Sequence, residues 1–272
     1  MLWATQGLSA LGSGLSHFTF VVWLTQSVYP HSTKQDDSIF AITALGLTSF
    51  LPRIIISPIA GVWVDRLDRK SIMLFMDLMQ GCISFVMFIL LLNNGLSLWT
   101  LLCLIAGMSL LSSFHNIAFD SSYIMIVPEQ HLPRANAMMQ TIWTVTGVVS
   151  PALAATIISL PSKFDFLPLH DGVALAIDLD ALTFFIAGFC LTFLKIPSPD
   201  NRVCREESTI NKSSFINHIK FGITFLLKYP SMLWLVILGF ITNVVYSSDI
   251  LIPIVVKEIL EEDWISKGWN YS

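Results

Sequence analysis

Gly61 to Lys70 reads GVWVDRLDRK, and five of its last six residues are charged although about twenty mostly apolar residues lie on either side. A charged side chain left inside hydrocarbon costs at least roughly 2.5 to 3.5 kcal/mol. A charge cluster this short between two long apolar runs therefore reads as a turn held at a membrane surface, joining two spanning helices. The rest of the chain agrees. Of its 272 residues 54% are hydrophobic and 12% are charged, with 19 Phe and 8 Trp and a mean hydropathy of +0.70. A soluble domain carries about 25% charged residues, so the composition places the chain in the membrane class. A net charge of -4 from scattered sources gives no footprint for nucleic acid.

A hydrocarbon core of about 30 Å takes roughly 20 helical residues to cross. Seven runs meet that length: Leu2 to Ser27, Ile39 to Val64, Ser71 to Leu92, Leu98 to Ile126, Ala137 to Leu160, Val173 to Leu194 and Pro230 to Val256. The third and fourth are separated only by Asn93-Asn94-Gly95-Leu96-Ser97, a turn that makes them an antiparallel hairpin. Three domains are expected: a six-helix transmembrane half at 1–196, a polar linker with a surface helix at 197–229, and the start of a second half at 230–272. The surface helix is Phe215 to Lys228, where Ile216, Ile219, Ile223 and Leu226 share one face. Cys82, Cys103, Cys190 and Cys204 lack metal-ligand spacing, and three of them fall in apolar runs. Buried, unreactive thiols are expected.

Orientation follows from Lys and Arg in the loops. With the N-terminus cytoplasmic, the inner side receives Arg66, Arg69, Lys70, Arg134, Lys195, Arg202, Arg205, Lys212, Lys220 and Lys228, and the outer loops hold only Lys34 and Lys163. The cluster at 65–70 is then a cytoplasmic staple.

Gly61, Asp65, Arg66, Arg69 and Lys70 also form a pattern, which resembles the G-x-x-x-D-R-x-G-R-[RK] signature between helices 2 and 3 of the major facilitator superfamily. Asp68 stands where that signature has glycine, a variant similar to the DRxDRR form of its macrolide-efflux and enterobactin-exporter branch. Val127 to Met138 resembles that branch's VPEEHLxRANAL segment, and the first helix, Leu179 to Gly188 and Leu251 to Leu260 resemble further segments in the same order. The resemblance implies an all-α integral membrane fold in the plasma (bacterial inner) membrane, with two six-helix halves related by pseudo-symmetry and substrate bound near the midplane. It further implies that Asp65, with Asp77, latches one state of an alternating-access cycle, while the small Gly61 admits a close helix neighbour. Against twelve helices expected, the chain stops after the seventh.

Ionisable residues within the spans are the functional candidates. Arg53 lies twelve residues before Asp65, about 18 Å along a helix, close to mid-membrane. It reads as a cavity residue for an anionic group or a proton-carrying carboxylate, or as a structural partner of Asp77, Asp120 or Asp180. Asp77 and Asp120 are candidate protonatable carboxylates. Asp178 and Asp180 are expected near the outer end of the sixth helix, the latter capping or pairing. His17 and His115 are candidate proton relays or hydrogen-bonded packing residues. Gly147, Ser150 and Pro151 resemble, in degraded form, the fifth-helix glycine and proline motif of exporters; small residues plus proline allow close contact and a bend. Trp63, Trp99, Trp234 and Trp264 mark membrane interfaces, and Trp23 and Trp143 are candidates for stacking on substrate.

No nucleophile elbow, zinc-protease motif or phosphate loop occurs, so no enzyme and no cofactor is expected. The expected partners are membrane lipid, a small-molecule substrate and protons. The leading expectation is a major facilitator efflux polypeptide. Its alternatives are a non-transporting truncated remnant and a self-associating half-transporter. A seven-helix receptor is disfavoured because the basic residues place the N-terminus inside.

Overall fold

The computed structural model describes residues 2–29, 35–159, 172–194, 224–225 and 227–247. They form helices α1 (Leu2–Trp23), α2 (Gln35–Arg66), α3 (Arg69–Leu92), α4 (Leu98–Ile126), α5 (Leu132–Ser159), α6 (Gly172–Phe193) and α7 (Pro230–Ser247), and no strand occurs among them. With no water to satisfy backbone N–H and C=O groups in hydrocarbon, helices are the form such apolar runs take. α1 continues as a single π-helical turn, Leu24–Val28, and ends where the Tyr29 N–H reaches the Leu24 carbonyl at 3.0 Å. The first six helices, with their flanking turns, are each long and apolar enough to cross a membrane, and α7 begins with the apolar stretch Pro230–Gly239. The chain clusters into two units, Met1–Cys204 and Arg205–Ser272. Most of the expected linker and surface helix, 197–229, lies outside the described residues.

The charged turn within Gly61–Lys70 contains two residues between helices, Leu67 and Asp68. Asp68 is the N-cap of α3: its carboxylate accepts from the Ser71 N–H at 3.0 Å and from the Ser71 hydroxyl at 2.6 Å. That satisfies orphan donors at the helix start and sets a negative charge at its positive end. A glycine would leave that place empty, so the departure from the family signature has a local physical role. Lys70 donates from Nζ to the Thr192 carbonyl at 2.8 Å, near the carboxyl end of α6, where free carbonyls favour a cation. Arg69 contacts the Met125 sulfur near the end of α4. The turn thus ties three helices together at one membrane face. At the other, Asn94 takes a left-handed conformation (φ 52°) and the Gly95 N–H closes on the Leu90 carbonyl at 2.8 Å; Ser97 then caps α4.

In unit one the packing runs α2, α4, α3, α6, α1, α5 around an arc, with α5 also touching α6. Exchanging α1, α2 and α3 for α4, α5 and α6 leaves this order of neighbours unchanged: α2 on α4 becomes α5 on α1, and α3 on α4 becomes α6 on α1. Because α1 and α4 cross in opposite directions, the relation is an inverted repeat. α2 and α5 stand at the ends of the arc and leave large apolar side chains exposed, among them Phe40, Ile55 and Trp63 on α2 and Val145 and Val148 on α5.

Two expectations are corrected here. Cys82 and Cys103 are exposed, not buried: the helices turn apolar faces outward because lipid, unlike water, covers apolar surface at no cost. Gly61 and Gly147 have nothing within 4 Å of where a Cβ would stand, so neither admits a close neighbour. Close approaches occur elsewhere: a Cβ on Gly172, at the start of α6, would overlap the Ile158 carbonyl oxygen of α5, and α1 has two more. A Cβ on Gly14 would lie 2.7 Å from the Ser150 hydroxyl oxygen, and one on Gly12 would lie 2.8 Å from Oδ1 of Asp180.

Candidate functional site

Polar side chains of the first unit converge on its interior. α1 carries Gln6, Ser9, Ser13 and His17, α3 carries Asp77, Gln80 and Ser84, and α4 carries Ser109, Ser113 and Asn116. The spacings of three and four residues place each set on one helical face. Between these stripes lies a cavity of about 450 Å³ reached by all six helices of the unit. A second space of about 150 Å³ shares Ser13, His17, Arg53, Gln80 and Ser112 with it, so the two form one polar interior. The larger has the size of a small-molecule site. Trp143 and Phe18 line it and offer apolar surface.

Arg53 reaches inward from α2, as expected, but its partner is not a carboxylate. Its Nη2 donates to the Ser112 hydroxyl at 2.8 Å, and it forms no ion pair with Asp77, Asp120 or Asp180. Arg53 lines both spaces. His17 lines both as well.

Asp77 and His115 meet between α3 and α4, where Nε2 lies 3.1 Å from Oδ1, close enough for an ion pair although not aligned as a hydrogen bond. Both are buried. Asp77, assigned by resemblance to the latch, thus has His115 beside it inside the bundle. The side chains of Asp65 and Arg66 lie outside the described residues. His115 also bears electrostatically on Asp120, which is exposed one turn further along α4.

Asp180 is not near a helix end. It sits eight residues into α6 and is fully buried. The Ser84 hydroxyl donates to its Oδ2 at 2.8 Å, Ser16 adjoins it, and its Oδ1 has no hydrogen-bond partner. It lines the smaller space with Arg53 and His17. In α5, Ser150 of the expected fifth-helix motif touches α1. Its hydroxyl donates to the Leu11 carbonyl at 3.2 Å, while Gly147 and Pro151 line the larger cavity.

Sequence reasoning passed over Gln80, Ser84, Ser112 and Ser16. Their signal was present in the stripes: a run of Ser, Gln and Asn at helical spacing on an otherwise apolar span marks an inward face.

Six apolar spans around a polar, solute-sized interior define an integral membrane protein of the transporter class. The chain belongs to the Major Facilitator Superfamily, whose family model matches residues 2–271. It is 25% identical over 245 residues to macrolide efflux protein A of Streptococcus pyogenes, covering 90% of this chain and 55% of that protein. It is 26% identical over 205 residues to macrolide efflux protein A of Enterococcus faecalis, covering 75% and 59%. An uncharacterized MFS-type transporter of Bacillus subtilis, YfiS, is 27% identical over 235 residues, covering 85% and 50%. The chain spans about half the length of the curated relatives it matches.

Proposed function

We propose that the chain serves efflux of an amphipathic small molecule, of drug, macrolide or siderophore-like character, in exchange for protons by alternating access. The observation that supports this best is the interior of about 450 Å³, which sets Arg53, His17 and His115 against Trp143 and Phe18. Cationic and hydrogen-bonding groups facing apolar surface suit a solute that is itself part polar and part apolar. Arg53, His115, Asp120 and Asp180 are the cavity and proton-relay residues of this reading. Gly61, Asp65, Arg66, Arg69, Lys70 and Asp77 are its conformational latch. The names of the streptococcal and enterococcal relatives support export of macrolides. Placement in the bacterial inner membrane with a cytoplasmic N-terminus follows the bias of basic loops.

The open side of the arc between α2 and α5 favours one further reading, in which a second copy completes the cavity. Accumulation of a labelled macrolide and of ethidium in an efflux-deficient bacterium expressing the chain tests both readings. Accumulation below the empty-vector level, abolished by a protonophore and by W143A, is expected. Crosslinking across α2 and α5 distinguishes a pair of copies from a single one. Accumulation equal to the empty vector removes the efflux reading for this chain and leaves the non-transporting remnant.

A further inference from the structure

The inverted repeat places the two buried aspartates in equivalent positions. Asp77 lies eight residues after the start of α3 at Arg69, and Asp180 lies eight residues after the start of α6 at Gly172. Each faces the residue fifteen after the start of the other helix. For Asp180 that residue is Ser84, bound at 2.8 Å; for Asp77 it is Ala187, which lines the same niche of about 10 Å³. The neighbouring helices extend the match. His115, seventeen residues into α4, stands beside Asp77, and the residue seventeen into α1 is Thr19. Thr19 is fully buried, and its hydroxyl has no hydrogen-bond partner.

One fold position therefore has two chemistries. In the helix pair α3–α4 the carboxylate meets an imidazole; in the equivalent pair α6–α1 no imidazole stands beside it, and it meets the hydroxyls of Ser84 and Ser16. A bare carboxylate shut away from water is costly unless a cation or a proton offsets its charge. The charged and titratable groups on elements packed against Asp180 are few. They are His17 on α1, Asp77 and Cys82 on α3, with Arg69 and Lys70 at that helix's start, Arg134 two residues into α5, and Asp178 and Cys190 on α6 itself; Lys70 is held at the Thr192 carbonyl, three turns further along α6, and Arg69 at Met125. Arg53 of α2 lines the same space. None of them forms an ion pair with Asp180. The side-chain oxygens around it, from Ser84 and Ser16, are too few for the six or so ligands of a hard cation.

We propose that Asp180, with Ser84 and Ser16, is the site at which the coupling proton is bound, and that Asp77, beside His115, is its counterpart in the repeat and not the coupling site. The inference rests on the proton-coupled reading above. The proton sits on Oδ1, the oxygen without a partner, and leaves through the space shared with His17 and Arg53. Oδ2 keeps the Ser84 hydroxyl as donor in both states.

The test is infrared spectroscopy of the purified chain in lipid nanodiscs, reading the carbonyl stretch of a protonated carboxyl at neutral pH. The band is expected in the parent and in D77N, absent in D180N, and moved to higher frequency in S84A, which removes the donor to that group. If D180N does not fold, the S84A shift decides. A parent without the band, a band surviving in D180N, an unmoved band in S84A, or a band removed by millimolar sodium would each overturn the proposal. The readout needs no transport. A band that behaves as expected in cells showing no macrolide efflux removes the efflux reading alone, and the converse removes the site alone.

Discussion

Gly12→Ala is the sharpest single test of how the bundle is packed. The added Cβ would overlap the Thr183 hydroxyl, stand 2.8 Å from Oδ1 of Asp180 and 3.1 Å from Cβ of Thr183. Contacts under 3.0 Å do not survive, so α1 and α6 must part by several tenths of an ångström along a face where both are well buried. Overpacking of this kind costs about 1 to 3 kcal/mol, a roughly 5- to 160-fold change in the folded-to-unfolded ratio. Against it runs the helix propensity of alanine, worth up to about 1 kcal/mol over glycine. Gly147→Ala isolates that favourable part, because its Cβ meets nothing within 4 Å. The measurement is unfolding of the purified chain in detergent by increasing sodium dodecyl sulfate, followed by tryptophan fluorescence. G12A is expected to unfold at lower denaturant than the parent, and G147A at equal or higher denaturant. Adding T183A to G12A should recover part of the loss, since it removes the hydroxyl that the new methyl strikes. G12A and G147A moving together in the stabilising direction would refute the α1–α6 contact.

Other expectations follow from single contacts. Asp68→Ala removes the N-cap of α3 and is expected to cost about 1 kcal/mol in the same unfolding assay; Asp68→Asn, which keeps an acceptor, should cost less. Asn94→Gly is expected to be neutral or stabilising by up to about 1 kcal/mol, because glycine occupies φ 52° without strain. Cys82 and Cys103 should react in membranes with a lipid-soluble maleimide and resist a charged, water-soluble one, as the outward, lipid-facing placement requires. Labelling by the charged reagent alone would place those faces in water and contradict the assigned spans.

The apolar run lengths, the polar turn at 93–97 and the charges at 65–70 were enough to establish the helices within a few residues, because each span in hydrocarbon must satisfy its own backbone. The family was legible for a similar reason: Asp65, Arg66, Arg69 and Lys70 occupy a turn where local chemistry leaves little choice. Pairing was not legible. From the sequence Arg53 is either a cavity residue or the partner of a carboxylate; that it lines the interior and donates to Ser112 depends on α2 packing against α4, far away in the chain. Gly61 and Gly147 looked like contact residues, yet Gly12, Gly14 and Gly172 make close approaches, because smallness matters only where a neighbour happens to press. Asp180 shows the division most clearly. Its presence in an apolar span was visible from the sequence, but its depth, its bond to Ser84 and its equivalence to Asp77 arise from how six helices are arranged around one axis. Local burial from water is set by the order of residues along the chain; partnership across helices is set by packing, which no single span contains.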